Sequence, residues 1–215
     1  NKLLRPAWMI RLGLFLYDHI GGKRSLPGTK SLNFASDRVE GAPLKPELTR
    51  GFAYSDCWVE DSRLVVLNAM DARARGAEIL LRTRCVEARR DGDHWIAKLK
   101  DLATGTERTV RARILVNAAG PWVERVLHGV AGQSGTAHMR LVKGSHIVVP
   151  RLFEGDHAYI LQNTDRRVIF AIPYEHRFTL IGTTDIPFQG DASDVRIDPE
   201  ETAYLCDAVN RYFRT

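Results

Sequence analysis

Cysteine is scarce in this sequence, with three residues among 215. The three, Cys57, Cys85 and Cys206, are an odd number, and no pair has the spacing of a metal site. This argues against a disulfide framework and against a cysteine-based zinc site, and it indicates a reducing, cytoplasmic environment. The seven histidines form no HxxxH or HExxH pattern, so we predict no metal site.

Long hydrophobic runs are also absent. The longest apolar run, Leu12 to Tyr17, lies between Arg11 and Asp18 and is far shorter than the about 20 residues that cross a membrane. No secretory signal pattern follows Asn1. With 44% hydrophobic and 27% charged residues, the chain is neither disordered nor collagen-like. Its net charge of +5 is a mild basic excess, which gives weak support for an anionic partner.

The first fifty residues predict a helix and a long connection. Pro6 and the apolar residues after it favour a helix, because proline is tolerated in a first turn, and Gly21-Gly22 would end it. The apolar stripe that includes Trp8 and Phe15 could be buried in a larger protein or could lie on a membrane surface. The thin polar side of the helix favours burial. Residues 21–50 predict a mostly irregular connection.

The middle of the chain predicts a compact mixture of short strands and a helix. Asp61 can cap a helix that begins near Ser62, and Gly76 would end this helix. A turn centred on Gly92 predicts a hairpin. Strands are predicted over residues 51–59, 78–81, 86–90, 95–99, 107–112 and 114–116. The last of these strands is continuously apolar, as expected of a strand buried on both faces of a parallel sheet.

The last third of the chain predicts four strands and a final helix. Short polar turns separate the strands, which suggests an antiparallel meander. These strands are predicted over residues 145–149, 158–162, 168–173 and 178–182. Asp198 and Pro199 then provide an N-cap and a first-turn proline for a helix with an apolar stripe from Tyr204 to Tyr212. Because the chain ends within this helical pattern, we expect it to be a piece of a longer protein.

Three short segments carry residue types that suit binding or catalysis. Small residues from Ala118 to Gly120 would let a ligand approach the backbone at a helix start, although close packing at a strand–helix corner is the alternative. Lys143 and His146 flank a Gly-Ser turn. The imidazole could act as a general acid or base, or it could be a hydrogen-bonded histidine at a strand edge. The hydroxyls and carboxylate of residues 183–185 form either a third candidate site or a polar turn.

Arginines cluster between residues 73 and 90. Such a cluster is most often a solvated face of a protein and less often a phosphate or lipid patch. A basic domain that binds nucleic acid or anionic lipid through these arginines is therefore one alternative for the function, and its affinity would fall steeply with salt. No stripe of aromatic and basic residues accompanies the cluster, so we predict no nucleic-acid partner.

Seven segments of this sequence resemble the FAD-dependent, membrane-associated glycerol-3-phosphate dehydrogenases, which are D-amino-acid-oxidase-like flavoproteins. The matching segments are LRPAWMIR (4–11), SLPG (25–28), YSDCW (54–58), NAAGPW (117–122), KGSHIVVP (143–150), YILQN (159–163) and GTTD (182–185). The resemblance covers nearly the whole chain. The NAAGPW segment is shared broadly among the flavoproteins, whereas KGSH and YSDC are more specific to this dehydrogenase. One departure is Ala119, where many relatives carry threonine.

The resemblance implies an α+β fold, in which part of a FAD-binding Rossmann-like unit is joined to an antiparallel cap sheet and both ends are truncated. The implied divisions are residues 1–50 as a helix and irregular connection, 51–142 as a portion of the FAD-binding domain with a β-meander, and 143–215 as the antiparallel cap or substrate domain. The GxGxxG fingerprint that places the FAD pyrophosphate on a helix N-terminus is absent. The chain therefore resembles the middle of the enzyme, and we expect it alone to bind FAD weakly or not at all.

The resemblance also implies roles for individual residues. The residues implied to contact FAD are Arg84, Cys85, Ala118, Ala119, Gly120 and Trp122. The residues implied on the substrate side are Lys143 and His146, as catalytic candidates, with Thr183, Thr184 and Asp185 beside them.

The implied activity is the oxidation of sn-glycerol 3-phosphate to dihydroxyacetone phosphate. Hydride would pass from C2 to flavin N5, and electrons would pass on to quinone at the inner face of the cell membrane. A related FAD-dependent amine or amino-acid oxidase is the alternative, and the KGSH segment argues against it. A homodimer is a further expectation, because a chain cut from its neighbouring strands would expose apolar surface and sheet edges.

Overall fold

Residues 5–20, 25–36, 39–133 and 139–214 are described in a computed structural model. The chain divides into two units, one within residues 1–57, 142–188 and 194–215, and the other within residues 58–141 and 189–193. The helices and strands in chain order are α1 (Ala7–His19), β1 (Lys30–Asn33), β2 (Arg50–Ala53), α2 (Asp61–Ala74), β3 (Thr83–Asp91), β4 (His94–Asp101), β5 (Glu107–Ala112), α3 (Val123–Arg125), β6 (Val142–Lys143), β7 (His146–Pro150), β8 (Tyr159–Gln162), β9 (Val168–Tyr174), β10 (Phe178–Gly182), β11 (Ile186–Pro187) and α4 (Pro199–Asn210). A 3₁₀ turn at Gly120–Trp122 precedes α3, and a π-helical turn at Val126–Val130 follows it. Among the described helices, none is both long and apolar enough to span a bilayer.

The first unit contains a four-stranded antiparallel sheet in the order β7-β10-β9-β8. Strands β8, β9 and β10 form the predicted meander. The prediction is wrong for β7, which pairs with β10 and not with its sequence neighbour β8. Short turns fix the adjacency of consecutive strands, whereas the connection over residues 151–158 is longer and leaves β7 free to pair elsewhere.

Helix α4 packs on this sheet and completes the main hydrophobic core. Leu205, Ala208 and Val209 of α4 are buried in one cluster with Ile169 of β9 and Ile181 of β10. This confirms the apolar stripe predicted for the final helix. The predicted N-cap is also confirmed, because the Asp198 carboxylate accepts a hydrogen bond from the backbone N–H of Glu201 at 2.8 Å.

The N-terminal segment of the first unit confirms one prediction and corrects another. Helix α1 forms as predicted, but none of its residues is buried, and the glycines predicted to end it lie outside the described residues. The connection over residues 21–50 is not wholly irregular, because β1 pairs antiparallel with β2. The predicted strand over residues 51–59 is correspondingly shorter. Only a residue without Cβ fits at Gly51, where a Cβ would overlap the ring of Phe34.

The second unit is built on a three-stranded antiparallel sheet in the order β3-β4-β5. The predicted hairpin between β3 and β4 is confirmed, and Gly92 in its turn has a φ of 62°. Helix α2 begins at Asp61, so Asp61 is not its cap, and Glu60 at the N-cap position makes no side-chain capping hydrogen bond. Gly76, with a φ of 95°, follows the end of α2 as predicted.

Two predicted strands of the second unit do not form. Residues 78–81 and 114–116 are irregular, and Leu81, Ile114 and Val116 are 80%, 76% and 79% exposed. A strand is stabilised by hydrogen bonds to a neighbouring strand, and no residue within the described ranges pairs with either segment. The predicted α+β class is confirmed, with the described strands in antiparallel pairs.

Candidate active site

The first unit brings together the two segments predicted on the substrate side. The backbone N–H of Ser145 donates a hydrogen bond to Thr184 Oγ1 at 2.8 Å, and the backbone N–H of Thr184 donates to the carbonyl of Ser145 at 3.3 Å. The KGSH and GTTD segments are therefore adjacent. Lys143, His146, Thr183 and Thr184 consequently belong to one structural neighbourhood.

Two glycines let these segments approach closely. A Cβ at Gly182 would overlap the imidazole ring of His146, and a Cβ at Gly144 would lie 2.6 Å from Thr183 Oγ1. The His146 side chain is exposed at the start of β7, directly opposite Gly182 in the register with β10. The imidazole therefore packs against the backbone of Gly182 and is still accessible from solvent. An acid or base that acts on a ligand requires both a defined position and such access.

The Lys143 ammonium is engaged by carboxylates. Its Nζ lies 2.6 Å from Glu201 Oε2 and 3.2 Å from Asp198 Oδ2, and it also donates to the carbonyl of Arg196 at 3.1 Å. The Lys143 side chain is 10% exposed. The hydrogen bond to Glu201 raises the pKa of Lys143 above its usual value, although burial acts against this rise. Lys143 thus stays charged and is held away from open solvent.

Glu201 is a central residue of this neighbourhood that the sequence did not single out. Its side chain is fully buried, and its carboxylate accepts hydrogen bonds from Ser145 Oγ at 2.9 Å and Thr184 Oγ1 at 2.7 Å. Burial alone would raise the pKa of Glu201, but hydrogen bonds from Lys143, Thr184, Asp198 and Ser145 lower the pKa to about 2. The spacing Asp198-x-x-Glu201 predicts a capping box, but it gives no sign of the contacts to Ser145 and Thr184.

Asp185 is held through its backbone. Arg167 Nη1 donates to the carbonyl of Asp185 at 3.3 Å, while the Asp185 side chain is exposed. The guanidinium of Arg167 also pairs with Asp165 at 2.6 Å and stacks over the ring of Tyr204 at 4.4 Å. Arg167 therefore connects the end of the GTTD segment to α4. It is the second residue of this neighbourhood, after Glu201, that the sequence did not single out.

The residues predicted to contact FAD lie in the second unit. Arg84 and Cys85 are on β3, at a bulge between Cys85 and Glu87. The Cys85 thiol donates a weak hydrogen bond to the carbonyl of Glu87 at 3.5 Å, and burial raises the pKa of this thiol. Arg84 and Cys85 themselves pair with Lys100 and Leu99 of β4, and β3 is an edge strand of this described sheet. The outer backbone groups of an edge strand lie outside the ladder, which is compatible with the main-chain approach to FAD predicted for these two residues.

The turn over residues 117–122 is compatible with a bound cofactor. The Asn117 side chain shapes it by accepting from Ala119 N at 3.3 Å and donating to the carbonyl of Val123 at 2.8 Å. Gly120 has a φ of 54°, and a Cβ there would meet open space. Ala118 has a small, exposed side chain, and Trp122 closes the turn by donating its backbone N–H to Ala119. A ligand therefore has room to approach the backbone of this turn.

A shallow pocket of about 120 Å³ lies elsewhere in the first unit. It is lined by Pro27, Gly28, Lys30, Ala53, Tyr54 and Ser55. These residues come largely from the SLPG and YSDCW segments, which the resemblance marked without giving them a role. Pockets that enclose a whole small ligand have volumes of roughly 300–1,000 Å³, so this one would take only part of a ligand.

Comparison with known proteins identifies the family. The FAD dependent oxidoreductase (DAO) family matches residues 13–215. The chain is 56% identical over 211 residues to the glycerol-3-phosphate dehydrogenase of Pseudomonas aeruginosa, covering 98% of this chain and 40% of that protein. It is 55% identical over 210 residues to the D-erythritol 1-phosphate dehydrogenase of Brucella abortus, covering 98% of this chain and 42% of that protein.

A solved structure agrees with these relatives. The glycerol-3-phosphate dehydrogenase of Bacillus halodurans, determined in complex with FAD, superposes with a TM-score of 0.71 and 29% identity over 86% of this chain and 40% of that chain. This chain thus spans about 40% of the length of these two curated relatives. The predicted family and the predicted cofactor are both confirmed. The chain belongs to the FAD dependent oxidoreductase family, and FAD is the cofactor.

Proposed function

We propose that the protein carrying this chain is a polyol-phosphate dehydrogenase that oxidises sn-glycerol 3-phosphate to dihydroxyacetone phosphate. The observation that carries the proposal is the 56% identity to the Pseudomonas aeruginosa glycerol-3-phosphate dehydrogenase across 98% of this chain. The structural similarity to the Bacillus halodurans enzyme supports the same activity.

The reaction requires that the substrate lose a hydride from C2 and a proton from the C2 hydroxyl. Bound FAD supplies the two-electron acceptor for the hydride. We assign the hydroxyl proton to the exposed imidazole of His146, because a histidine can accept a proton near neutral pH. Thr183 and Asp185 would border the same substrate. The Ala118–Gly120 turn, Trp122, Arg84 and Cys85 would contact the cofactor.

D-Erythritol 1-phosphate is the second candidate substrate. The identity to the Brucella abortus enzyme is 55%, against 56% for the Pseudomonas aeruginosa enzyme, so these two identities do not separate the substrates. The similarity to the solved glycerol-3-phosphate dehydrogenase of Bacillus halodurans is the reason for placing sn-glycerol 3-phosphate first. Both compounds are phosphate monoesters of a polyol, so the same site chemistry would serve either of them.

We extend the proposal to the electron acceptor and to location. The acceptor is a quinone, and the protein is cytoplasmic and peripheral at the inner face of the cell membrane. Exposed apolar side chains of α1, among them Trp8, Leu12 and Phe15, support contact of this helix with another surface. A homodimer of the isolated chain is a further part of the proposal, because apolar surface that lacks its neighbouring strands favours association.

The test uses the purified full-length protein that carries this chain, loaded with FAD, and an artificial electron acceptor. We expect kcat/KM to be highest for sn-glycerol 3-phosphate, lower for D-erythritol 1-phosphate, and undetectable for D-alanine. A higher kcat/KM for D-erythritol 1-phosphate would transfer the assignment to the second candidate. Turnover of D-alanine without turnover of either phosphate would show an amino-acid oxidase instead.

A further inference from the structure

The buried carboxylate of Glu201 lies between two segments that the proposed function places beside the substrate. Oε1 accepts hydrogen bonds from Ser145 Oγ at 2.9 Å and from Thr184 Oγ1 at 2.7 Å. Oε2 lies 2.6 Å from Lys143 Nζ and accepts from the backbone N–H of Asp198 at 3.1 Å. Four donors from three parts of the chain therefore converge on one carboxylate.

Helix capping accounts for only part of this arrangement. In a capping box, the third residue of the helix needs one oxygen to accept from the N-cap backbone N–H, and Oε2 of Glu201 makes that bond to Asp198. The other oxygen, Oε1, is directed to Ser145 and Thr184. Because capping leaves this second oxygen free, its two hydroxyl partners call for a different explanation.

Burying an ion pair costs free energy, so the place where a fold keeps such a pair indicates a role besides stability. Removing a carboxylate and an ammonium from water costs several kcal/mol per ion, and hydrophobic residues of similar size often stabilise a fold as well or better. The Glu201 side chain is 0% exposed and that of Lys143 is 10% exposed. The pair is therefore poorly explained by stability alone, whereas fixed geometry at a reacting site would account for it.

The partners of Glu201 lie next to the residues that would meet the substrate. Ser145 immediately precedes His146, and Thr184 immediately follows Thr183. Ser145 and Thr184 are also joined through Ser145 N and Thr184 Oγ1 at 2.8 Å. The same Thr184 hydroxyl thus accepts from one segment and donates to Glu201, so that the carboxylate fixes both segments at once.

We propose that Glu201, with Lys143 as its counter-ion, is a positioning residue that fixes the Ser145–His146 and Thr183–Thr184 segments against each other and so directs the His146 imidazole at the reacting hydroxyl. This inference rests on the proposed function. It gives Lys143 a positioning role, in which its ammonium holds Glu201 in place and does not contact the substrate.

The test compares Glu201→Gln with Glu200→Gln in the full-length holoprotein. Glu200 is the matched control, because it lies in the same helical turn but is exposed. Glu201→Gln removes the negative charge that pairs with Lys143. Its amide N–H₂ would face either the Lys143 ammonium, which it would repel, or the two hydroxyls, which would then have to accept from it and no longer donate. We expect kcat for sn-glycerol 3-phosphate to fall by about 10- to 100-fold, as misplacement of a reacting group does, while KM changes by less than about threefold.

Amide hydrogen–deuterium exchange provides a readout that does not depend on turnover. Peptides that cover residues 143–149 and 182–187 should exchange faster in Glu201→Gln than in the wild type, and Glu200→Gln should match the wild type. If the wild type turns over neither polyol phosphate, the proposed function fails, and exchange alone then decides whether Glu201 fixes the two segments. Unchanged exchange in Glu201→Gln would overturn the inference, and so would an unchanged kcat in an active enzyme.

A milder variant covers the case in which Glu201→Gln does not fold. Ser145→Ala removes one hydroxyl from Oε1 and leaves the ion pair with Lys143 intact. It should lower kcat by about threefold to tenfold and accelerate exchange over residues 143–149. Wild-type values of both kcat and exchange in Ser145→Ala would contradict the inference.

Discussion

At the scale of single residues, the position of the His146 imidazole depends on the residues that it packs against and follows in the chain. Gly182 has no side chain, and any Cβ there would overlap the ring. Ser145, the residue before His146, is buried and hydrogen-bonded to Glu201. An exposed ring on a backbone held this firmly is suited to proton transfer, because the geometry is set before the substrate binds.

Replacement of this imidazole is therefore expected to remove most of the turnover. In the full-length holoprotein, His146→Ala should lower kcat for sn-glycerol 3-phosphate by about 100-fold or more, the usual contribution of a positioned acid or base. Its FAD content should be unchanged. His176→Asn is the control, because His176 is exposed in a turn with a φ of 60°, which asparagine tolerates. Wild-type turnover by His146→Ala would remove His146 from the site.

The sequence predicted these site residues only in part. The KGSH and GTTD segments drew attention to Lys143, His146 and Thr183–Asp185, and the fold places the two segments side by side. The role of Glu201 could not be predicted, since Ser145 and Glu201 are 56 positions apart. Such a pairing depends on how the sheet and α4 pack, and local sequence carries no signal for it.

At the scale of secondary structure, α4 holds the first unit together through one apolar face. Leu205 is fully buried among residues of the four-stranded sheet, in the same cluster as Ile169, Ile181 and Phe213. The first turn of the same helix carries Glu201. The packing of α4 therefore supports both the core and the candidate site.

Truncating Leu205 would leave a cavity at this apolar face of α4 and should lower the free energy of unfolding. Leu205→Ala is expected to reduce the free energy of unfolding by about 2–5 kcal/mol, because the lost apolar contacts are only partly replaced when the core relaxes. Asp207→Ala, at an exposed position of the same helix, should change the free energy by no more than about 0.5 kcal/mol. Urea unfolding of the two variants, followed by circular dichroism, measures this difference. Equal stabilities would show that α4 is not part of the core.

Elements with strong local signals were predicted well, and elements that need distant partners were not. Asp198 and Pro199 begin α4, and Gly92 forms the β3–β4 turn, because capping and left-handed backbone are local properties. Residues 114–116 have the composition of a buried strand but are irregular, and Ile114 and Val116 are exposed. Composition shows that a segment is suited to burial, but only a neighbouring strand supplies the hydrogen bonds.

At the scale of the whole molecule, the chain consists of two units with different parts of the proposed chemistry. The first holds His146 and the Glu201 network, and the second holds the turn over residues 117–122 and the edge strand with Arg84 and Cys85. The chain spans about 40% of its curated relatives. Exposed apolar residues such as Ile114, Val116 and Leu81 are accordingly candidates for contact with other parts of the protein.

We propose that these two units belong to a flavoenzyme that takes electrons from a polyol phosphate. The most direct test is the visible absorbance spectrum of the purified full-length protein, recorded without oxygen before and after sn-glycerol 3-phosphate is added. We predict an oxidised flavin spectrum that bleaches upon addition of the substrate. A protein without bound flavin, or a flavin that remains oxidised with both sn-glycerol 3-phosphate and D-erythritol 1-phosphate, would contradict this account.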